Sequence, residues 1–234
     1  RLRLQKGAPE APGTLLILTD DPDGFAGGKR ELIAPNGTRI EIDELNPPLV
    51  LPKTDHAFVV RRLADQAPWI IGRAGMEYRD LIPTRLGGAM IASHIRVPDG
   101  PVPDMVHFHK VGFQLIFCIS GWVDVLYEDQ GGSRRLTAGD CFIQPPAINE
   151  NTEGVASVMV ARPTDKADPV WTRHDCDILF NFVMSGCMVL EGEGKEPYRL
   201  EKGDAFVIPP RMATRYSEPS SDLELLEVSL PGTF

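Results

Sequence analysis

Short runs of Val, Ile, Leu and Phe recur along the whole chain and are separated by Gly, Pro and Asp. Apolar and polar positions alternate within many of these runs, and almost no stretch has the 3.6-residue period of an amphipathic helix. The 21 prolines and 22 glycines leave little room for long helices. The pattern predicts an all-β protein. Its expected strands cover residues 14–19, 39–42, 57–61, 89–97, 106–109, 114–119, 123–127, 140–144, 156–161, 178–184, 188–191, 205–208 and 223–229.

One segment of the chain is repeated. Residues 139–146 read Gly-Asp-Cys-Phe-Ile-Gln-Pro-Pro, and residues 203–210 read Gly-Asp-Ala-Phe-Val-Ile-Pro-Pro. A second match, Ile-Ser-Gly at 119–121 and Met-Ser-Gly at 184–186, has an offset that is larger by one residue. Since a hairpin absorbs this single-residue change, the sequence indicates two copies of one small β domain.

Two histidines, His107 and His109, lie one residue apart in a predicted strand. Side chains alternate between the faces of a strand, so both imidazoles point the same way and can bind one ion. Gln114 begins the next predicted strand after a short connection that is long enough for a tight turn. The two strands are therefore expected to bring His107, His109 and Gln114 together.

The spacing of these residues resembles the first motif of the cupin superfamily. That motif contains a Gly, then His-x-His, then Glu after three or four residues, and a further Gly six residues later. Here Gly100 precedes the His107 and His109 pair, Gln114 replaces the Glu, and Gly121 follows at the expected distance.

The second cupin motif is matched with two further departures. Gly139 is followed by five residues and by a Pro-Pro pair, after which Ala147 replaces a Gly and Glu150 replaces a His. Together with the repeat, the chain from about residue 70 to 234 resembles a bicupin. The resemblance implies two tandem cupin barrels, of the double-stranded β-helix or jelly-roll type, after an N-terminal extension. The expected domains are 1–68, 69–163 and 164–234.

The resemblance implies a metal site in the first barrel, formed by His107, His109, Gln114 and Glu150. One divalent Fe, Mn, Ni, Co or Zn ion suits two imidazoles, a carboxylate and an amide oxygen. Some cupins carry Gln at the first-motif position and still bind metal. A shift of one residue would exchange Glu150 for Asn149, and a degenerate barrel without metal is the alternative.

The second copy has a different set of residues at the corresponding positions. The alignment places Thr172, His174, Leu179 and Thr214 on the four candidate ligands. One histidine without a carboxylate does not make a metal site, so this copy is predicted to serve in packing. It is also short for a jelly-roll barrel, which makes strands from residues 14–61 candidates to complete it.

Candidate substrate-binding residues precede the first motif. His94 and Arg96 share one face of a predicted strand, and an inward-facing Arg96 would bind a substrate carboxylate through two hydrogen bonds. The opposite parity would place both side chains in solvent. Tyr78 and Arg79 are further candidates at the mouth of the barrel.

The charge of −9 at pH 7 disfavours nucleic-acid binding, which needs a basic surface. No apolar run approaches the roughly 20 residues that span a membrane, and no apolar segment typical of a signal peptide follows the charged start. Four scattered cysteines without a C-x-x-C pair favour free thiols in a reducing compartment. These features predict a cytoplasmic protein, and the cupin resemblance adds a homodimer.

Two classes of function follow from the resemblance. One is a metal-dependent enzyme, dioxygenase-like or a non-redox lyase or isomerase, that acts on a small carboxylated molecule. The other is a binding or structural bicupin whose site is vestigial. Oxygen uptake and metal content separate these alternatives.

Overall fold

The computed structural model describes residues 13–47, 50–65, 68–103, 109, 111–112, 114–126, 131–144, 156–163 and 169–231. Strands account for 45% of the described residues and helices for 7%, so the described part of the chain is all-β. The strands are β1 (Thr14–Thr19), β2 (Glu31–Ile33), β3 (Arg39–Glu44), β4 (Val59–Arg61), β5 (Ile70–Ile71), β6 (Glu77–Asp80), β7 (Ser93–Arg96), β8 (Gln114–Phe117), β9 (Trp122–Val125), β10 (Arg134–Thr137), β11 (Cys141–Gln144), β12 (Ser157–Ala161), β13 (Cys176–Ser185), β14 (Cys187–Gly192), β15 (Tyr198–Glu201), β16 (Ala205–Ile208), β17 (Thr214–Ser217) and β18 (Glu224–Pro231). The helical segments are α1 (Pro22–Phe25) and the 3₁₀ turns Leu63–Asp65, Arg73–Gly75 and Arg85–Gly88.

The compact unit Arg1–Val50 contains a three-stranded sheet in the order β1-β3-β2. β1 runs parallel to β3, whereas β2 and β3 are antiparallel. α1 lies in the connection between β1 and β2. The Asp21 carboxylate caps it by accepting a hydrogen bond from Gly24 N (2.8 Å), and Pro22 occupies the first turn, where its missing N–H costs nothing.

The second unit, Leu51–Phe234, contains a five-stranded sheet in the order β12-β18-β13-β16-β4. β4 is antiparallel to β16, with Val60 opposite Phe206. The segment upstream of residue 69 therefore contributes one strand to the sheet of the C-terminal copy. The strand pairs described for β1, β2 and β3 are with each other.

A cluster of buried side chains joins the five-stranded sheet to the three-stranded sheet β15-β14-β17. Alternate residues of β13, β16 and β18 supply one side, and the three-stranded sheet supplies the other. We call it the C-terminal cluster, and it consists of Leu179, Val183, Met188, Leu190, Leu200, Phe206, Ile208, Leu223 and Leu225. It forms the interior of the C-terminal copy.

The opposite face of the five-stranded sheet packs against the first copy and against residues 81–92. We call this the central cluster, and its buried members are Leu81, Ile82, Leu86, Ile178, Phe180, Phe182, Ala205, Val207, Leu226 and Val228. Leu115, Phe117 and Ile119 pack against it from the β8 segment. Both copies therefore place the same face of equivalent segments in one shared core, since Phe180, Phe182 and Met184 are the counterparts of those three residues.

The repeat found in the sequence is also a repeat of strand pairing. Phe117 lies opposite Cys141 in the β8–β11 pair, and Phe182 lies opposite Ala205 in the β13–β16 pair. The β9–β10 and β14–β15 hairpins match in the same way, with Val123 opposite Leu136 and Met188 opposite Leu200. The predicted duplication is confirmed for this four-strand unit. No closed barrel is found among the described strands, which form separate sheets.

The Gly-Asp pair of each repeat makes the turn before its last strand. Gly139 and Gly203 have φ of 95° and 94°, a conformation that favours glycine. Each glycine N–H donates to the backbone of the facing strand, Cys118 O or Val183 O, at 2.8 Å. The carboxylates of Asp140 and Asp204 accept from the backbone three residues earlier, at 2.7 and 2.8 Å. In each repeat, the Gly-Asp pair therefore defines the turn that follows the hairpin.

The predicted strand 89–97 is shorter than expected. Only Ser93–Arg96 forms β7, and it is preceded by the 3₁₀ turn Arg85–Gly88. Leu86 and Gly87 have positive φ values of 48° and 74°, which no strand tolerates. This turn buries Leu86 in the central cluster, and the residue that follows it, Ala89, is still in the αR conformation, so the strand begins only later.

Candidate functional site

The predicted metal ligands are described only in part. His107 and Glu150 lie outside the described residues, His109 is exposed, and Gln114 is the half-buried first residue of β8, opposite Gln144. Within the described part of the chain, no group of three or more His, Cys, Asp and Glu side chains is placed to hold a metal ion. The four-residue ligand set therefore stays a prediction.

Gln114 faces away from the central cluster. Leu115 and Phe117 pack against that cluster, and Gln114 has the opposite parity on the strand. Its counterpart in the second copy, Leu179, points into the C-terminal cluster. Gln114 therefore has the strand parity of a residue that is interior in the second copy.

The second copy shows how its counterparts of the predicted ligands are arranged. Thr172 and Thr214 form a β-bridge, with N–H to O distances between the two residues of 2.8 and 3.0 Å. His174 Nδ1 accepts from Cys176 N (3.2 Å), which leaves the proton on Nε2 to be donated to Ile208 O (3.1 Å). Burial lowers the pKa of His174. Both ring nitrogens are used by the backbone, so this histidine has a structural role.

The β6–β7 hairpin positions the predicted substrate-binding residues. Arg79 lies opposite His94, and Glu77 lies opposite Arg96, so His94 and Arg96 share a face as expected. Tyr78 is opposite Ile95 on the other face, and its hydroxyl points to Met76 Sδ at 3.8 Å. The structure brings His94 and Arg96 together and separates Tyr78 from them.

Arg79 is the most deeply placed cation of this hairpin, with only 2% of its surface exposed. Its Nη2 donates to the carbonyl of Gly203 (2.7 Å), in the repeat turn, and lies 3.5 Å from His94 Nδ1. Its buried Nε has no hydrogen-bond partner among the residues that the structure describes. Burial is the main cause that lowers the pKa of Arg79, and the charges of Arg61 and Arg96 add to it.

Trp69 packs against the side chains of Arg79, His94 and Arg96. The Arg96 guanidinium lies 3.8 Å from the centre of the Trp69 ring and the Arg79 guanidinium 5.6 Å, both as cation–π contacts. His94 packs edge-on against Trp69 (5.0 Å) and against Phe182 (5.6 Å). We call Trp69, Arg79, His94 and Arg96 the arginine–tryptophan cluster.

The electrostatics of the arginine–tryptophan cluster favour an anion. Burial, together with the charges of Arg79 and Arg96, lowers the pKa of His94 to about 4, so this imidazole is neutral at neutral pH. Arg96 is exposed, and its contact with a carboxylate, Glu77, is long at 3.6 Å. Nearby Asp204 already accepts from the backbone N–H groups of Leu63 and Glu201. An incoming carboxylate would therefore meet an accessible guanidinium.

Sequence reasoning included Arg79 but missed Trp69. Trp69 follows a proline in a short irregular segment before β5, where no alternating pattern exposes its role. The contacts of the cluster run to Phe182 of the central cluster, to Gly203 and to Glu77.

Comparison with protein-family models gives no match for this chain, and comparison with curated protein sequences gives none either. Among the described residues, no helix has the length and apolar character needed to cross a membrane. The fold and site thus define an all-β protein with a duplicated four-strand unit, and its function has to be argued from that geometry.

Proposed function

We propose that this chain is a metal-binding bicupin, with two tandem cupin barrels and one divalent transition metal in the N-terminal barrel. The observation that carries the proposal is the duplicated four-strand unit, whose strand register is the same in both copies. The ligands are His107, His109, Gln114 and Glu150.

The second copy supports this ligand set. Thr172 and Thr214 are bridged, and they are the sequence counterparts of His107 and Glu150. The same pairing in the first copy would place an imidazole beside a carboxylate. Gln114, on the interior face, adds an amide oxygen, and two nitrogens with two oxygens suit Fe, Mn, Co, Ni or Zn.

We propose that the protein is an enzyme of the dioxygenase-like kind and that its substrate is a small carboxylated molecule. A divalent ion in such a site supplies polarisation of a carbonyl or enolate oxygen, or activation of oxygen beside the substrate. Arg96 would bind the substrate carboxylate, because Trp69 holds its guanidinium flat and accessible. His94 would line the same face as a neutral group, and Tyr78 lies on the opposite face.

Two alternatives are favoured by particular residues. Gln114 in place of Glu is compatible with a non-redox lyase or isomerase, because cupin sites with Gln are not tied to oxygen chemistry. The two substitutions in the second motif, Ala147 and Glu150, favour a binding or structural bicupin with a vestigial site. We also propose a cytoplasmic location. We further propose a homodimer, and measurement of the native mass tests the dimer directly.

Metal analysis after anaerobic purification tests the central claim. We expect about one redox-active metal ion per chain, lost when His107→Ala and His109→Ala are combined. His56→Ala is the matched control, since His56 is not among the predicted ligands and its Nε2 is hydrogen-bonded to Asp177 Oδ1 (2.8 Å). Metal retained by the double variant, or absent from the unaltered protein, would contradict the site. Turnover without oxygen uptake would favour the non-redox alternative.

A further inference from the structure

The imidazole of His94 uses one ring nitrogen in the protein and leaves the other unused. Its Nδ1 lies 3.5 Å from Nη2 of Arg79. A guanidinium group has only donors, so Nδ1 must be the acceptor and the ring proton must be on Nε2. Arg79 therefore determines which tautomer His94 adopts.

Arg79 is itself held in one place. Its side chain is almost completely buried, and the same Nη2 donates to the carbonyl of Gly203 at 2.7 Å. Burial of His94, with the charges of Arg79 and Arg96, lowers the pKa of its imidazole to about 4. Near neutral pH, His94 is therefore an uncharged ring whose only N–H group is at Nε2.

The Nε2–H group of His94 is a donor that reaches solvent. It donates to no residue that the structure describes. The buried side-chain nitrogens without a partner in that part of the chain include Arg79 Nε but not His94 Nε2, so this nitrogen is not enclosed. A molecule that binds at the surface of the hairpin can accept a hydrogen bond from it.

Arg96 is the accessible cation beside this donor. Its side chain is 58% exposed, and the carboxylate of Glu77 lies 3.6 Å from its Nη1. The Arg96 guanidinium lies 3.8 Å from the centre of the Trp69 ring, and His94 packs edge-on against the same ring at 5.0 Å. A charged donor and an uncharged donor therefore border one indole.

The first copy contains an arginine that is stacked in the same way but is neutralised. The Arg135 guanidinium lies 3.9 Å from the centre of the Trp122 ring. The two carboxylate oxygens of Asp124 accept hydrogen bonds from Nε and Nη2 of Arg135, each at 2.8 Å. Arg96 has only the longer contact with a carboxylate, so its charge is less compensated and its N–H groups are available to a bound anion.

We propose that Arg96 and His94 bind a monocarboxylate with a carbonyl or hydroxyl oxygen on the neighbouring carbon, as 2-oxo and 2-hydroxy acids have. The Arg96 guanidinium binds the carboxylate, and His94 Nε2–H donates to the neighbouring oxygen. One cation and one uncharged donor suit one negative charge and one uncharged acceptor. A second anionic group would meet a neutral imidazole, and an ammonium group would meet Arg96. The inference rests on the proposed function for calling this ligand the substrate.

Calorimetric titration of the full chain near neutral pH tests this choice of ligand. We expect pyruvate to bind about tenfold more tightly than propanoate, which has the charge but leaves Nε2–H unpaired. Methyl pyruvate has the carbonyl without the charge and should bind more weakly than pyruvate by at least a similar factor. The proposal is overturned if pyruvate does not bind, or if propanoate or methyl pyruvate binds equally well.

Two pairs of variants assign the binding to these residues. Arg96→Gln should weaken pyruvate by about tenfold or more, whereas the matched control Arg135→Gln should bind it like the unaltered protein. His94→Phe should remove the preference for pyruvate over propanoate. His94→Gln should keep most of it, because its amide can present an N–H group near the position of Nε2–H. Equal losses in the two arginine variants, or an unchanged preference in His94→Phe, would contradict the site.

Nitrogen NMR of the His94 ring tests the role of Arg79 directly. Near neutral pH we expect a protonated Nε2 and an unprotonated Nδ1 in the unaltered protein. In Arg79→Met, both tautomers should be populated. A proton on Nδ1 of the unaltered protein would overturn the assignment, and that measurement does not depend on whether Arg79→Met folds.

Pyruvate can also bind a metal ion through its carboxylate and carbonyl oxygens, so the titration is repeated in the combined His107→Ala and His109→Ala variant. The preference for pyruvate over propanoate should be unchanged there, because the proposed contacts involve no metal. Loss of the preference would place recognition of the carbonyl at the metal site and overturn the inference. The metal content of the unaltered protein and of this variant tests the proposed function separately, so either claim can fail while the other holds.

Discussion

At the scale of single residues, the repeat places the same side chain in two environments. Asp140 and Asp204 each accept a backbone hydrogen bond within their turn, from Thr137 and from Glu201. Asp140 is exposed, and these bonds lower its pKa, whereas burial of Asp204 is the dominant effect and raises its pKa. The turn thus determines which hydrogen bond the carboxylate accepts, while the surrounding packing determines whether its pKa is raised or lowered.

The glycines that begin the two hairpins provide a matched pair of substitutions. Gly121 and Gly186 both have φ of 71°, so alanine at either position pays about 1–2 kcal/mol for the left-handed conformation. A Cβ at Gly121 would meet open space, whereas one at Gly186 would lie 2.7 Å from the backbone of Leu223. We expect Gly186→Ala to lower the free energy of unfolding at least twice as much as Gly121→Ala. Urea denaturation measures both, and equal losses would mean that the Leu223 backbone moves aside.

His94 makes stability depend on pH. Its pKa is about 4 in the folded protein and about 6.5 in an unfolded chain, so the unfolded state binds more protons between these values. Stability is therefore expected to fall as pH drops from about 6.5 to about 4. His94→Phe keeps a ring against Trp69 and Phe182, and it should reduce the difference in unfolding free energy between neutral pH and pH of about 4.5 by about 2 kcal/mol. An unchanged difference would show that His94 titrates normally.

At the scale of elements, apolar alternation found the central strands and missed their hairpin partners. β10 and β15 read Arg-Arg-Leu-Thr and Tyr-Arg-Leu-Glu, and each has a single buried residue, Leu136 or Leu200. One buried side chain in four residues leaves too little signal for an alternating pattern. The repeat carried the missing information, because both segments precede a Gly-Asp turn at the same distance.

The sequence pattern also failed to predict the turn before β7 and the pairing of the N-terminal strands. Residues 85–88 are folded by positive φ values that bury Leu86, and the sequence alone gives no sign of that burial. The parallel pairing of β1 with β3 is a long-range choice that strand patterns do not encode. Strand existence was therefore largely predictable, whereas partners and turns depended on tertiary packing.

At the scale of the whole molecule, some residues of the candidate sites could be predicted from the sequence and others could not. The His-x-His spacing is local, so His107, His109 and Gln114 could be proposed from the chain alone. Trp69 meets Arg79 and Arg96 only through the β6–β7 hairpin, which no local spacing in the sequence predicts.

The two compact units lead to a prediction about the minimum folded chain. Members of the central and C-terminal clusters, including the partly buried residues packed against them, lie at or after Ala57. A chain that begins at Leu51 is therefore expected to keep the near-UV circular dichroism and the unfolding free energy of the clusters. A chain that begins at Arg62 lacks β4, whose Val59 packs on the central cluster and Val60 on the C-terminal cluster.

The comparison of these two truncations measures the contribution of residues 51–61, which include β4. Loss of two half-buried valines, of Ala57 and Phe58 beside them, and of the β4–β16 ladder should lower the unfolding free energy by at least about 3 kcal/mol relative to the chain from Leu51. Urea denaturation of both chains, monitored by tryptophan fluorescence, measures the difference. Equal stability would mean that β4 adds nothing to the C-terminal sheet, and an unfolded chain from Leu51 would mean that Arg1–Val50 stabilises the rest. The expected result would make β4 the only strand upstream of Leu63, among those described, on which both cores depend.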